Sequence, residues 1–153
     1  MKPVNVLLVE DSPADVRLIR EALKNATVPV RITVAQDGVE AMDYLHDSEQ
    51  ADALPDLMLL DLNLPRKNGR EVLAEVKTSP HLKQIPVLVM TSSRSEEDVN
   101  QVYALNANCY IAKPYDFQEY VNIVHSIEHF WLMTVTLPDA DHYGPAIPRC
   151  HTA

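Results

Sequence analysis

Four apolar runs in this 153-residue chain end in polar residues with chemistry to offer. Glu10-Asp11 follows Val4 to Val9, Asp61 closes the run from Asp56, Thr91 follows Ile85 to Met90, and Lys113 follows Cys109 to Ala112. Three carboxylates brought to one spot repel each other unless a cation joins them. Hard oxygen donors in a partly hydrated site suit magnesium. Asp11 and Asp61 are the direct ligands to expect. Glu10 acts through water, and the main-chain carbonyl of Asn63 lies within reach of the same ion. Carboxylates with magnesium make half of a phosphoryl-transfer site. Lys113 supplies the positive charge of the other half and Thr91 its hydroxyl. Asp61 is the nucleophile to expect, because an ionised carboxylate can form an acyl phosphate.

These residues need a frame that brings distant segments together. Val4 to Val9 reads as a first strand. Ser12-Pro13 starts a helix, with Ser12 as N-cap and Pro13 at the first helical position. Val16, Ile19, Leu23 and Ala26 share one face of it, and Asn25 and Pro29 mark its stop. Val30 to Val34 alternates as a half-exposed second strand. Asp37-Gly38 leads into a second helix carrying Val39, Met42, Tyr44 and Leu45, and residues 47–55 read as a surface loop. The run from Asp56 to Asp61 has no alternation, so it reads as a strand buried on both faces, ended by Pro65. Asn68-Gly69 opens a third helix with Val72, Leu73 and Val76 inward, and Ser79-Pro80 ends it.

Ile85 to Met90 is a fourth strand. Ser95 and the acids after it start a fourth helix with Val99, Val102, Tyr103 and Leu105. Cys109 to Ala112 is a short fifth strand before Lys113-Pro114. A fifth helix runs from about Asp116 to Leu132. Strict alternation of strand and helix gives a doubly wound α/β fold with a five-stranded parallel sheet. Right-handed crossovers bring all strand C-termini to one edge, where chemistry collects in such folds. Residues 1–135 form one domain and 136–153 a tail rich in Pro, His and Asp, with no further domain expected.

The composition narrows the partners. The chain is 46% hydrophobic and 23% charged, as in ordinary globular domains. Its formal charge is -9, from 22 acidic and 13 basic side chains. That excludes the basic face needed for nucleic acid and disfavours an anionic membrane surface. No targeting or membrane-spanning run is visible, so a cytoplasmic location is expected. Cys109 and Cys150 are far apart and match no metal spacing; they read as a buried thiol and a tail thiol. His125 and His129 read as surface residues, and His142 and His151 carry no signal.

The set Glu10-Asp11, Asp61, Thr91 and Lys113-Pro114, in this order and register over residues 4 to 132, resembles the receiver domain of two-component response regulators. The stretch Leu-Leu-Val-Glu-Asp-Ser-Pro-Ala-Asp and the long loop before Asp56 are similar to the single-domain partners of cyanobacterial and bacterial phytochrome histidine kinases. The resemblance implies a flavodoxin-like sheet of order 2-1-3-4-5. It implies that Asp61 accepts a phosphoryl group from a sensor kinase, that Glu10 and Asp11 organise magnesium, and that Thr91 and Lys113 bind the phosphoryl group. It makes Tyr110 the switching aromatic and the Lys113-Pro114 peptide cis. Asn106-Ala107, Asn68-Gly69 and Ser92 depart from the common pattern, and Asn106 is a residue that tolerates left-handed backbone.

The fifth helix carries apolar residues from Phe117 to Trp131 over an arc of roughly 200° at about 100° per residue, twice what one sheet face needs. Ile123, Ile127 and Phe130 are thus expected at a homodimer interface formed by helix four, strand five and helix five. The function expected is a phosphorylation switch rather than a turnover enzyme. Two alternatives stay open. One is a magnesium-dependent phosphatase working through an aspartyl phosphate, and the other is an adaptor that needs no phosphorylation.

Overall fold

The computed structural model describes residues 2–138. Beyond residue 138 the expected tail, with Cys150, His142 and His151, lies outside the described residues. Five parallel strands form one sheet in the order β2-β1-β3-β4-β5: β1 (Val4–Val9), β2 (Val30–Ala35), β3 (Leu57–Leu60), β4 (Val87–Thr91) and β5 (Cys109–Ala112). The helices between and after them are α1 (Pro13–Leu23), α2 (Gly38–Gln50), α3 (Gly69–Thr78), α4 (Glu96–Ala104) and α5 (Phe117–Ile127). This is the doubly wound frame that the alternation predicts.

Side chains of β3 alternate between two cores. Met58 and Leu60 join Val72, Leu73 and Val76 of α3 on one face, while Leu57 and Leu59 join Ile19, Tyr120 and Val124 on the other. All four β3 residues are buried, which is why the run shows no polar alternation. Burying one such leucine contributes about 2 kcal/mol.

Each helix starts on a side chain read from the sequence. Ser12, Asp37, Asn68, Ser95 and Asp116 accept from the backbone N–H three residues on. At Asn68 the bond is reciprocated by Glu71, completing a capping box. Asn106 adopts φ 71°, the left-handed backbone its type allows.

Several boundaries differ from the sequence reading. Helix α1 ends at Leu23, so Ala26 lies past it. Helix α2 runs through Gln50, where a loop was expected from 47. Its last turn is polar, with Asp47 and Gln50 exposed and Ser48 buried, and it stops only where Asp52 turns to φ 54°. Strand β4 begins at Val87 rather than Ile85, since Pro86 has no N–H to give to a ladder.

The largest departure is at the C-terminal helix. Regular α geometry ends at Ile127, and the chain continues as a π-helical segment, Glu128–Thr134. The buried stripe of α5 is Tyr120, Val124 and Ile127, and the next buried residue is Leu132, five positions on. That is the spacing of a π turn, not of an α turn. Extrapolating 100° per residue past Ile127 therefore assigns the wrong faces. Ile127 is 4% exposed and sits in the core with Leu59 and Leu88, so it is not an interface residue. Ile123 is partly buried against the same core, and Phe130 is 51% exposed.

Candidate active site at the carboxyl edge of the sheet

Parallel register delivers the polar residues to one edge. Val9 of β1 pairs with Leu60 of β3, so Glu10 and Asp61 emerge side by side. Thr91 of β4 pairs with Ala112 of β5, and the Lys113 N–H donates to the Thr91 carbonyl at 2.7 Å. Gly69 keeps α3 close to this edge. A Cβ there would collide with the Asp61 carbonyl and the Leu62 Cα, so only glycine lets the helix start so near the Asp61 backbone.

Lys113 is the hub. Its ammonium donates to Glu10 Oε1 at 2.6 Å, Asp15 Oδ2 at 2.7 Å and Asp61 Oδ2 at 2.9 Å. Burial works to lower the Lys113 pKa, but the bonds to Asp15, Asp61 and Glu10 together push it well above the ordinary lysine range. The ammonium therefore stays charged, and the strain of crowding falls on a carboxyl group. Burial, aided by the Asp61 charge and opposed by Lys113, pushes the Glu10 carboxyl up to about 7.

Carboxylate oxygens of Glu10, Asp11 and Asp61 all lie within 4.8 Å of one another. Glu10 and Asp61 are buried and Asp11 is exposed, so the cluster opens to solvent on one side. Such an all-oxygen donor set fits a hard divalent cation that keeps some of its water. The Asn63 N–H donates to Asp61 Oδ1 at 3.1 Å and orients that carboxylate.

Thr91 is fully buried, and its hydroxyl is without a hydrogen-bond partner. An unmade bond on a buried hydroxyl costs about 1–3 kcal/mol. Thr91 ends β4 next to the strand end that carries Lys113, whose backbone N–H donates to its carbonyl. The loop after Thr91 is held from outside. The Tyr110 hydroxyl donates to the Ser93 carbonyl at 2.8 Å. The Ser93 hydroxyl and then Arg70 hold the Asp98 carboxyl below its usual range.

Arg94 donates to the carbonyls of Ser92 at 3.2 Å and Lys113 at 2.7 Å, and lies 4.4 Å over the Tyr115 ring. The Lys113-Pro114 peptide, expected cis, is trans: among the described residues no peptide bond is cis. Trans is the lower-energy isomer before proline by about 0.5–1 kcal/mol. In this form the Lys113 carbonyl meets Arg94 and its N–H meets Thr91.

Three participants escape the sequence reading: Asp15, Arg94 and Tyr120. An acid in the first turn of a helix reads as ordinary dipole compensation, which hides the bond from Asp15 to Lys113. Tyr120 reads as helix core, yet its buried hydroxyl has no partner and feels the charges of Lys113, Asp15, Glu10 and Asp61.

The sequence matches the family described as the response regulator receiver domain over residues 6–125. The chain belongs to this family. As a receiver it is a component of phosphorylation-based two-component signalling. It is 49% identical over 140 residues to the response regulator Rcp1 of Synechocystis sp., covering 90% of this chain and 95% of that protein. The crystal structure of the Mn(2+)-bound form of Rcp1 superimposes with a TM-score of 0.85, covering 90% of the receiver and 100% of that chain. The phosphorylated cyanobacterial phytochrome response regulator RcpA is 52% identical, also with a TM-score of 0.85, over 90% of this chain and 100% of that one. Among the described residues of the receiver, no helix is long and apolar enough to cross a membrane.

Proposed function

We propose that Asp61 is the phosphoacceptor and that the donor is a phosphohistidine on a sensor kinase of the phytochrome class. The observation that carries this reading is the Lys113 ammonium 2.9 Å from Asp61 Oδ2, with the buried, unpartnered hydroxyl of Thr91 on the adjacent strand end. A carboxylate oxygen of Asp61 attacks phosphorus, the phosphorus–nitrogen bond breaks, and the imidazole leaves with the electron pair. The phosphoryl oxygens are received by the Lys113 ammonium and the Thr91 hydroxyl. Glu10, Asp11, Asp61 and the Asn63 carbonyl would hold magnesium, which would supply the positive charge that lets an anionic donor approach. The phytochrome assignment is supported by the relatives: RcpA is by its name a phytochrome response regulator.

The output is a change of surface on a phosphoacceptor rather than turnover of a substrate. Filling the space at Thr91 draws its loop inward, and the bond from Tyr110 to Ser93 carries that movement to the edge of β5. The face of α4, β5 and α5 then changes partner, including a second copy of the chain. Tyr103 and Phe130, each about half exposed, are among the large side chains that this region presents to solvent. The setting is cytoplasmic, with no role for nucleic acid or membrane.

The test is intact mass after incubation with acetyl phosphate and magnesium. The wild type gains one phosphoryl group and Asp61→Asn gains none. Equal labelling of both proteins, or none of either, overturns the reading.

A further inference from the structure

An ammonium has three N–H donors, and Lys113 spends all three on carboxylates. A phosphoryl group on Asp61 takes over the Asp61 bond to this lysine, since the esterified carboxyl has lost its charge, and it reaches the ammonium with a second oxygen only if one more bond is given up. The two remaining partners are not equal. The Glu10 side chain is 3% exposed, whereas Asp15 is 25% exposed. A buried carboxylate that loses its counter-charge has no water to turn to, while a quarter-exposed one is rehydrated cheaply. Asp15 is also outside the group of oxygens that can share a cation. It is therefore the partner with least to lose and with no second role at the site.

We propose that Asp15 is a positioning residue that holds Lys113 in the unphosphorylated state and is displaced from it by the phosphoryl group. This rests on the assignment of Asp61 as phosphoacceptor and goes beyond it. Asp15 lies in the first turn of α1, where its N–H is capped by Ser12 at 3.3 Å. Losing the bond to Lys113 frees that turn from β5. The α1 surface, where Asp15 borders a groove with Leu18, Phe117 and Val121, then reports the phosphorylation state as the α4, β5 and α5 face does. Two consequences follow from one exchange. Asp15 competes with the phosphoryl group for the lysine, and α1 loosens when the phosphoryl group wins.

The probe is fluoroberyllate with magnesium, a phosphoryl mimic, titrated calorimetrically. Asp15→Asn keeps the side-chain shape and removes the competing charge, so it binds roughly fivefold tighter than wild type, the factor expected for a partly exposed ion pair. Asp15→Glu restores the wild-type affinity. Glu21→Gln removes an equal charge from α1 without touching Lys113, and leaves the affinity unchanged. In wild-type protein the backbone amide resonances of Ala14 to Arg17 shift on loading, a readout that needs no substitution. Unchanged or weaker binding in a folded Asp15→Asn, an equal gain in Glu21→Gln, or unmoved α1 amides in loaded wild type overturns the role of Asp15 alone. Failure of wild type to bind the probe overturns both this role and the assignment of Asp61.

Discussion

Glu10 Oε1 lies 2.6 Å from Lys113 Nζ, yet burial holds the Glu10 carboxyl up at about 7. A carboxyl with a raised folded-state pKa binds its proton more tightly folded than unfolded. Its contribution to stability is thus present at low pH and is lost as pH rises from the ordinary value of 4.5 to about 7. The full effect is on the order of 3 kcal/mol. In chelator, the melting temperature of the wild type falls across that window, and Glu10→Gln flattens the fall. Cation affinity rises over the same window, because the ion must displace the Glu10 proton. A melting temperature that rises from pH 5 to 7 while Glu10→Gln follows it would contradict this account.

Asp11 is exposed and, among the described residues, makes no hydrogen bond or ion pair, while Glu10 and Asp61 share Lys113. Its charge is repelled by both neighbours and is held by no ion pair of its own. Asp11→Asn raises the melting temperature in chelator, by an amount corresponding to about 0.5 kcal/mol for so exposed a charge. Added magnesium stabilises the wild type more than the variant. Both effects are read by thermal unfolding with and without the ion.

Ile127 and Phe130 are three residues apart and differ in role. Ile127→Ala opens a cavity in the core and costs about 2–4 kcal/mol whatever the state of association. Phe130→Asp leaves stability nearly unchanged and weakens self-association if the face is shared between copies. Denaturant unfolding reads the first and sedimentation the second. A stable Ile127→Ala, or Phe130→Asp with wild-type sedimentation of an assembled form, would count against this division.

Gly69 meets the Asp61 carbonyl at close range. Gly69→Ala must displace either the start of α3 or the backbone that carries Asp61. The expected loss is about 1–3 kcal/mol of stability, as for overpacking elsewhere. Phosphorylation by acetyl phosphate slows more than in Glu71→Ala, which weakens the same helix start by removing half of the capping box.

The frame and most of the site were legible from short-range signals. The uninterrupted run at Leu57 to Leu60, the caps at Ser12, Asn68 and Ser95, and the polar residues at strand ends each have a local physical cause that the sequence displays. Glu10, Asp61 and Lys113 meet because parallel strands align, a consequence of topology alone. What stayed hidden depends on a change of local period or on contacts across the chain. Leu132 is buried and Phe130 exposed because the turn widens after Ile127, and nothing in the apolar pattern signals it. Asp15 reaches Lys113 across 98 residues, as the side-chain bond between them records. The Lys113-Pro114 peptide is trans, the isomer that the dipeptide by itself favours.

One of the two cores joins opposite ends of the chain. Val6, Leu8, Ile19 and Leu23 meet Tyr120, Val124, Ile127 and Leu132, and Glu128 accepts from the Thr27 N–H at 3.1 Å. During synthesis on the ribosome, that side of β1 and β3 stays only partly covered, by α1, until α5 has left the exit tunnel. The nascent chain is therefore a half-built sandwich that must wait for its closing layer, and the interval before closure is when it is most exposed to aggregation.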